Sequence, residues 1–235
     1  MNTSSTSASN TPEDMIRMMQ LFVEPGQVVE LRAVNVDTGY GRPHVEAGFF
    51  DSEHLHLMVT AALSITGKAK GVYFTLNPVD PDLQARRCNR IARAGEGELT
   101  KDVNVVKRRW LLVDADPVRD PLISASDAEK AKALDTICEV RSYLQSKGWP
   151  APILADSGNG YHLLYPIDLP TNDGRTVERV LKALAARFDN EHVKIDQSVF
   201  NPSRICKMPG TLARKGDHMP NRPHRCARVL EVRRS

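Results

Sequence analysis

The stretch RRWLLVDADPVR, residues 108–119, decides the fold. Its apolar core reads as a strand over 109–113 that ends at the first of two acids, Asp114 and Asp116. Carboxylates at i and i+2 of an extended segment point to the same side. There they can share hard cations, which prefer oxygen ligands. Alone, such a pair is equally a surface feature beside a turn, so its meaning depends on what surrounds it.

The chain after Asp116 supplies a regular frame. Ser126 and Glu129 form a capping box, and Leu134, Ile137, Cys138, Tyr143 and Leu144 keep helical spacing until Gly148 ends the helix. Residues 152–155 and 161–165 read as two strands joined by SGNG, a tight hairpin turn of type I′. Val177, Val180, Leu181, Leu184 and Phe188 mark a second helix face. Residues 204–208 then read as a closing strand. The order β-α-β-β-α-β is the ferredoxin-like arrangement of RNA-recognition modules. An α+β fold follows, with an RRM-like unit that sets the hairpin and the last strand beside Asp114.

Upstream, residues 27–36 (QVVELRAVNV) alternate like a half-buried strand. Residues 55–63 read as helix, GVYFTL from Gly71 as a strand stopped at Asn77-Pro78, and residues 81–92 as a further helix. These make an N-terminal α/β unit of about residues 25–109 ahead of the RRM-like unit of about 110–235. Residues 1–12, rich in Ser, Thr and Asn, are expected to form a disordered tail, leaving 13–235 as a single catalytic domain.

The bulk properties set limits. With 235 residues, 41% hydrophobic and 26% charged, the chain can bury a sizeable core. No segment is long and apolar enough for a membrane span, and the N-terminus lacks a signal-peptide pattern, so no membrane partner and a cytoplasmic location are expected. The four cysteines form no C-x-x-C pair and read as free thiols. Cys206, His218, His224 and Cys226 fall in one short region, but their spacing matches no common zinc finger. The net charge of +3 is uneven, with +7 from Arg204 onward and −4 before it. That asymmetry favours a polyanion partner.

The chemistry-bearing motif is SGNGYH. Gly158 and Gly160 permit a tight turn and a close backbone approach to phosphate oxygens, while Ser157 and His162 can donate to the same group. Asp196, after the apolar Val193 and Ile195, is the candidate third acid, with Asp156 and Asp168 as competitors. Arg204 and Lys207 add positive charge, but their spacing puts them on opposite faces of a regular strand, so either a bulge redirects one or only one serves. Asn77 reads as a sugar contact or a turn cap. Arg108, Arg109, Arg214, Lys215, Arg222 and Arg225 are the candidate contacts to a DNA backbone.

Asp114-x-Asp116, then Ser157 to His162, then Asp196 with Ser203-Arg204 and Lys207, resembles the three-motif signature of the archaeo-eukaryotic primase superfamily. The closest likeness is to the primase-polymerase catalytic domains of plasmid, phage and CRISPR-associated proteins. The resemblance covers about residues 25–230 and includes GVYFTLNP and RPHR. It implies the archaeo-eukaryotic primase fold, an RRM-like catalytic unit fused to an N-terminal α/β unit. Asp114, Asp116 and Asp196 would bind two Mg²⁺ or Mn²⁺ ions. Ser157, His162, Arg204 and Lys207 would hold the triphosphate of an NTP or dNTP. The reaction would be template-directed attack of a primer 3′-hydroxyl on the α-phosphate, with single-stranded DNA as template. The chain has no G-x-x-x-x-G-K-[ST], so a helicase or accessory domain is expected outside it.

Two other classes compete. A non-catalytic RRM-type binding module needs stacking aromatics, yet its K/R-G-F/Y-G/A-F-V-x-F/Y signature is absent and aromatics are 6% of the chain. A replication initiator or nuclease using the same acids needs a nucleophilic tyrosine and a His-rich metal site. The histidines form no H-x-H pair beyond His54 and His56.

Overall fold

The computed structural model describes residues 11–232. The expected tail therefore lies outside the described residues up to position 10, and its boundary needs correcting at Thr11 and Pro12. Thr11 caps helix α1 (Pro12–Met19): its hydroxyl accepts from the Asp14 N–H at 3.2 Å, while the Asp14 carboxylate accepts from the Thr11 N–H. A cap of this kind contributes about 1 kcal/mol, and Met15 and Met19 anchor the helix in the core.

The elements that follow are β1 (Val28–Val36), β2 (His44–Asp51), α2 (Leu55–Ile65), β3 (Gly71–Thr75), β4 (Ala92–Arg93) and β5 (Arg108–Pro117). Then come α3 (Asp127–Ser146), β6 (Ile153–Asp156), β7 (Tyr161–Leu169), α4 (Thr176–Phe188) and β8 (Val193–Ile195). The chain closes with β9 (Ile205–Lys207), β10 (Leu212–Ala213), β11 (Arg225–Cys226) and β12 (Arg228–Glu231). The fold is α+β, with two five-stranded sheets in which every neighbouring pair is antiparallel. No helix among the described residues is long and apolar enough to cross a membrane.

The first sheet runs β4-β2-β1-β3-β9 and the second β12-β6-β7-β5-β8. Helix α2 packs on the first sheet with Leu55, Met58, Val59, Ala62 and Ile65, an i, i+3, i+4 stripe. Helices α3 and α4 cover the outer face of the second sheet. The Ser126–Glu129 capping box opens α3, and Gly148, at a left-handed φ of 81°, follows its end. One continuous core joins both sheets; Ile137 and Leu163 are fully buried in it, and truncating either to Ala costs about 2–5 kcal/mol.

Four expectations are corrected. Residues 81–92 are not a helix: a 3₁₀ turn spans Pro81–Arg86 and the chain then extends into β4. The closing strand of the second sheet is β8, not residues 204–208. Val193 and Ile195 are buried on either side of exposed Lys194 and pair with the end of β5, whereas β9 pairs with β3 in the first sheet. Consequently the division near residue 109 is not a clean cut, because the chain returns to the first sheet at β9. Strand β5 also continues through both acids to Pro117, so Asp114 and Asp116 lie within the strand rather than beyond its end.

Candidate active site

The inner faces of the two sheets bound a cleft of about 370 Å³, lined by Tyr73, Asp114, Asp116, Ser157, Asn159, His162, Asp196, Arg204, Lys207, Arg214 and Lys215 among others. Strand pairing builds its floor. Asp114 lies directly opposite His162 on β7, and its carbonyl accepts the Asp196 N–H at 2.9 Å from the other side. Three residues far apart in sequence thus become neighbours through backbone register.

The electrostatics follow from burial. Oδ1 of Asp114 is buried without a hydrogen-bond partner, although Nε2 of His162 stands 3.5 Å away as a charge contact. Burial, then the Asp114 charge, raise the pKa of Asp116. For His162, burial favours the neutral ring, but the charges of Asp114 and then Cys206 outweigh it and hold the pKa well above the ordinary 6.5. From the first sheet, the Tyr73 phenol is raised by burial and then by Asp114 and Asp116. Lys207 is pushed down to about 7 by burial, opposed by Cys226 and reinforced by Lys215.

The SGNG segment is a built turn. Gly158 has a φ of 93° and Asn159 has no positive φ, so the turn is not type I′, which needs a positive φ at both central residues. The Ser157 hydroxyl accepts the Gly160 N–H, Asp156 accepts the Gly158 N–H, and buried Asn159 accepts the Ala125 N–H at 2.8 Å. The glycines serve the protein's own packing. A Cβ at Gly158 would lie 2.7 Å from the Ala213 Cβ, and one at Gly160 would lie 2.4 Å from the Ala115 carbonyl oxygen. Neither glycine is among the residues that line the cleft.

Arg204 and Lys207 both reach the cleft, because Arg204 precedes β9 and escapes its alternation. Its guanidinium is held by Asn201 Oδ1 at 3.0 Å and the Ser198 carbonyl. The Lys207 ammonium donates to the Leu212 carbonyl at 3.0 Å and lies over the Tyr73 ring. Asp196 lines the cleft, but its Oδ1 accepts the Ser198 N–H and caps a short 3₁₀ turn. No group of three or more His, Cys, Asp or Glu side chains is gathered for a metal ion among the described residues. The quartet Cys206, His218, His224 and Cys226 is not assembled either: Cys206 meets His162, while the rings of His218 and His224 lie against each other.

Several candidates lie elsewhere. Asn77 is buried and joins the two sheets, donating to the Pro202 carbonyl and accepting the N–H groups of Arg109 and Trp110, so it neither touches the cleft nor caps a turn. Arg108 is buried against the carbonyls of Thr171 and Phe200, and Arg109 pairs with Glu24 and Asp168. Arg222 forks onto Glu129 and Arg225 pairs with Asp127, both fastening the C-terminal segment to the start of α3. These four arginines are used internally. Asp156 pairs with Lys130 and Asp168 with Lys107, which removes both competitors for the third acid. Of the basic candidates, Arg214 and Lys215 line the cleft. Lys70, Tyr73 and Asn159 line it too and went unread in the sequence. The alternation of GVYFT, which turns Tyr73 away from the buried Val72 and Phe74, was the available signal for Tyr73.

No protein-family model and no curated protein matches this sequence. Among solved structures, the fold is similar to the crystal structure of a primase, RepB′, with a TM-score of 0.48 and 11% identity. The likeness covers 94% of this chain and 56% of that one, so the chain spans little more than half of that structure's length.

Proposed function

We propose that this chain is a metal-dependent nucleotidyltransferase of primase-polymerase type, adding nucleotides from NTP or dNTP to a 3′-hydroxyl on a single-stranded DNA template and releasing pyrophosphate. One observation carries the reading: Asp114 and Asp116 share a cleft of about 370 Å³ with His162, Arg204 and Lys207, so two carboxylates and three basic side chains line one space. The chain order β5-α3-β6-β7-α4-β8 and the sheet order β6-β7-β5-β8 support an RRM-like catalytic unit and the archaeo-eukaryotic primase fold.

The acids fit divalent cations. Asp114 Oδ1 is buried without a hydrogen bond, and Asp116 resists ionisation beside it. Carboxylate oxygens are the ligand type that suits Mg²⁺ or Mn²⁺. Asp114 and Asp116 would hold the metal, with Asp196 as the third ligand after it exchanges its Ser198 contact. Two such ions supply charge neutralisation at the attacking and leaving oxygens of an in-line displacement. The chain's own residues do the rest. His162 and the Arg204 guanidinium would donate to the triphosphate, Ser157 lines the same cleft, and Lys207, with its pKa brought to about 7, adds charge when the anion draws a proton onto it. Their part is positioning and charge stabilisation.

A binding module without catalysis is disfavoured by the sheet itself. The face of β5 and β7 that would stack bases carries Asp114 and His162 and is turned toward the first sheet. The test is extension of a primed single-stranded template with labelled nucleotides and Mn²⁺. Wild-type protein extends the primer, and Asp114→Asn with Asp116→Asn abolishes extension while the circular dichroism spectrum is kept. Undiminished extension by the double variant refutes the assignment.

A further inference from the structure

Cys206 carries a contact that packing does not require. Its Sγ lies 3.6 Å from Nδ1 of His162, and both residues are buried. The contact crosses between the sheets, from β9 in the first to β7 in the second. On the other side of the ring, Nε2 faces Asp114 Oδ1 at 3.5 Å. No other partner for Nδ1 occurs among the described residues.

A buried imidazole needs its ring orientation fixed. A half-turn of the ring about its bond to the backbone-proximal carbon would exchange nitrogen and carbon positions and take Nε2 off Asp114. The partner of the second nitrogen ordinarily selects the orientation and the protonated site. A sulfur is large and polarisable enough to accept an N–H across a gap of this length.

We propose that Cys206 is a positioning residue for His162: its sulfur accepts the Nδ1–H and thereby aims Nε2 at Asp114 and the nucleotide cleft. The thiol touches no substrate atom and acts through the ring alone. This role rests on the nucleotidyl-transfer reading only for its kinetic consequence, since the contact itself is independent of it.

The test compares Cys206→Ser, which keeps an acceptor, with Cys206→Val, which fills the space without one. Nitrogen-15 imidazole spectra of full-length protein should show a protected Nδ1–H for His162 in the wild type and the Ser variant and none in the Val variant. In primer extension, the Val variant should raise KM for the nucleotide about fivefold to tenfold, the equivalent of one lost hydrogen bond, with kcat within about twofold. The Ser variant should stay within about threefold of wild-type KM. An unchanged His162 Nδ1–H signal in the Val variant overturns the proposal, as does an equal rise of KM in both variants. If the wild type extends no primer, the nucleotidyl-transfer reading has failed, and the imidazole spectra still decide the role of Cys206.

Discussion

Asp114 and His162 are register partners on β5 and β7, and Nε2 of the histidine stands 3.5 Å from Oδ1 of the aspartate. The histidine stands beside Asp114, while Asp116, buried next to the Asp114 charge, is helped by Arg119, Lys215 and His162 without their outweighing that burial. Ionising Asp116 therefore costs the free protein stability.

Asp116→Asn should expose this cost. Burial and Asp114 hold the folded-state pKa above the ordinary 3.8, so the folded protein binds this proton more tightly than the unfolded chain. The stability so gained is full below the unfolded pKa and is lost as pH rises through the folded one. At pH 7 the ionised carboxylate is a net burden, and the Asn variant should melt about 2–4 °C above wild type, a gain of order 1 kcal/mol. Below about pH 4 the difference should vanish. Millimolar Mn²⁺ should raise the melting temperature of the wild type and leave that of the variant unmoved. Thermal melts at two pH values, with and without the metal, check each part.

Gly160 should tolerate no side chain. A Cβ there would lie 2.4 Å from the Ala115 carbonyl oxygen and 2.5 Å from Asp116 Oδ1, and the first of these is backbone that has no room to move within β5. Gly160→Ala should cost about 2–3 kcal/mol by urea unfolding and displace Asp116 as it does so. Gly97→Ala is the control: it has open space around it and no left-handed φ, so its effect should stay within about 0.5 kcal/mol.

The parts of the fold that local sequence determines were legible. Ser126 and Glu129 cap α3 as a box, and SGNG turns a hairpin, because both depend on residues within four positions of each other. What was lost depends on pairing over long range. Both β8 and β9 are three-residue strands with an apolar alternative, and only the sheet each joins distinguishes them. Strand β2 was missed although it pairs with nearly all of β1. At the site, the acids and SGNGYH were readable as short local motifs, whereas their adjacency comes from β5 lying between β7 and β8 in the sheet. The arginines were not. Arg222 and Arg225 look like a basic patch in sequence, and only the folded positions of Glu129 and Asp127 show them to be internal ties.

That distinction predicts which cations meet a nucleic acid. Lys70, Arg214 and Lys215 line the cleft and have no carboxylate partner within ion-pair distance among the described residues. Lys70→Ala and Lys215→Ala should each weaken binding of a single-stranded oligonucleotide and flatten the slope of log K against log salt by about 1. Arg222→Ala should lower the melting temperature, since it frees Glu129, yet leave the salt slope as it is. Fluorescence-anisotropy titrations at several salt concentrations separate the two classes, and a reduced slope for Arg222→Ala would assign the contact surface to the C-terminal segment instead.

Under the proposed function, Lys207 should make nucleotide binding depend on pH. Burial brings its pKa from 10.5 to about 7, with Lys215 and Cys226 as the titratable groups facing it. Between those two values the unfolded chain holds the proton that the folded chain releases, so this residue makes stability rise with pH across the window. Binding works in the opposite direction. A triphosphate favours the ammonium, so above about pH 7 the complex must take up a proton that the free protein lacks, and Kd should rise toward tenfold per pH unit. His162 and Asp116 also carry shifted pKa values beside the same cleft, which makes the wild-type profile alone ambiguous. Lys207→Met removes the ammonium at similar length, so the ratio of its Kd to that of the wild type isolates one group. The ratio should be large at pH 6 and shrink toward 1 by about pH 9. A ratio that stays constant over that range would mean that Lys207 holds its shape in the cleft but lends no charge to the nucleotide.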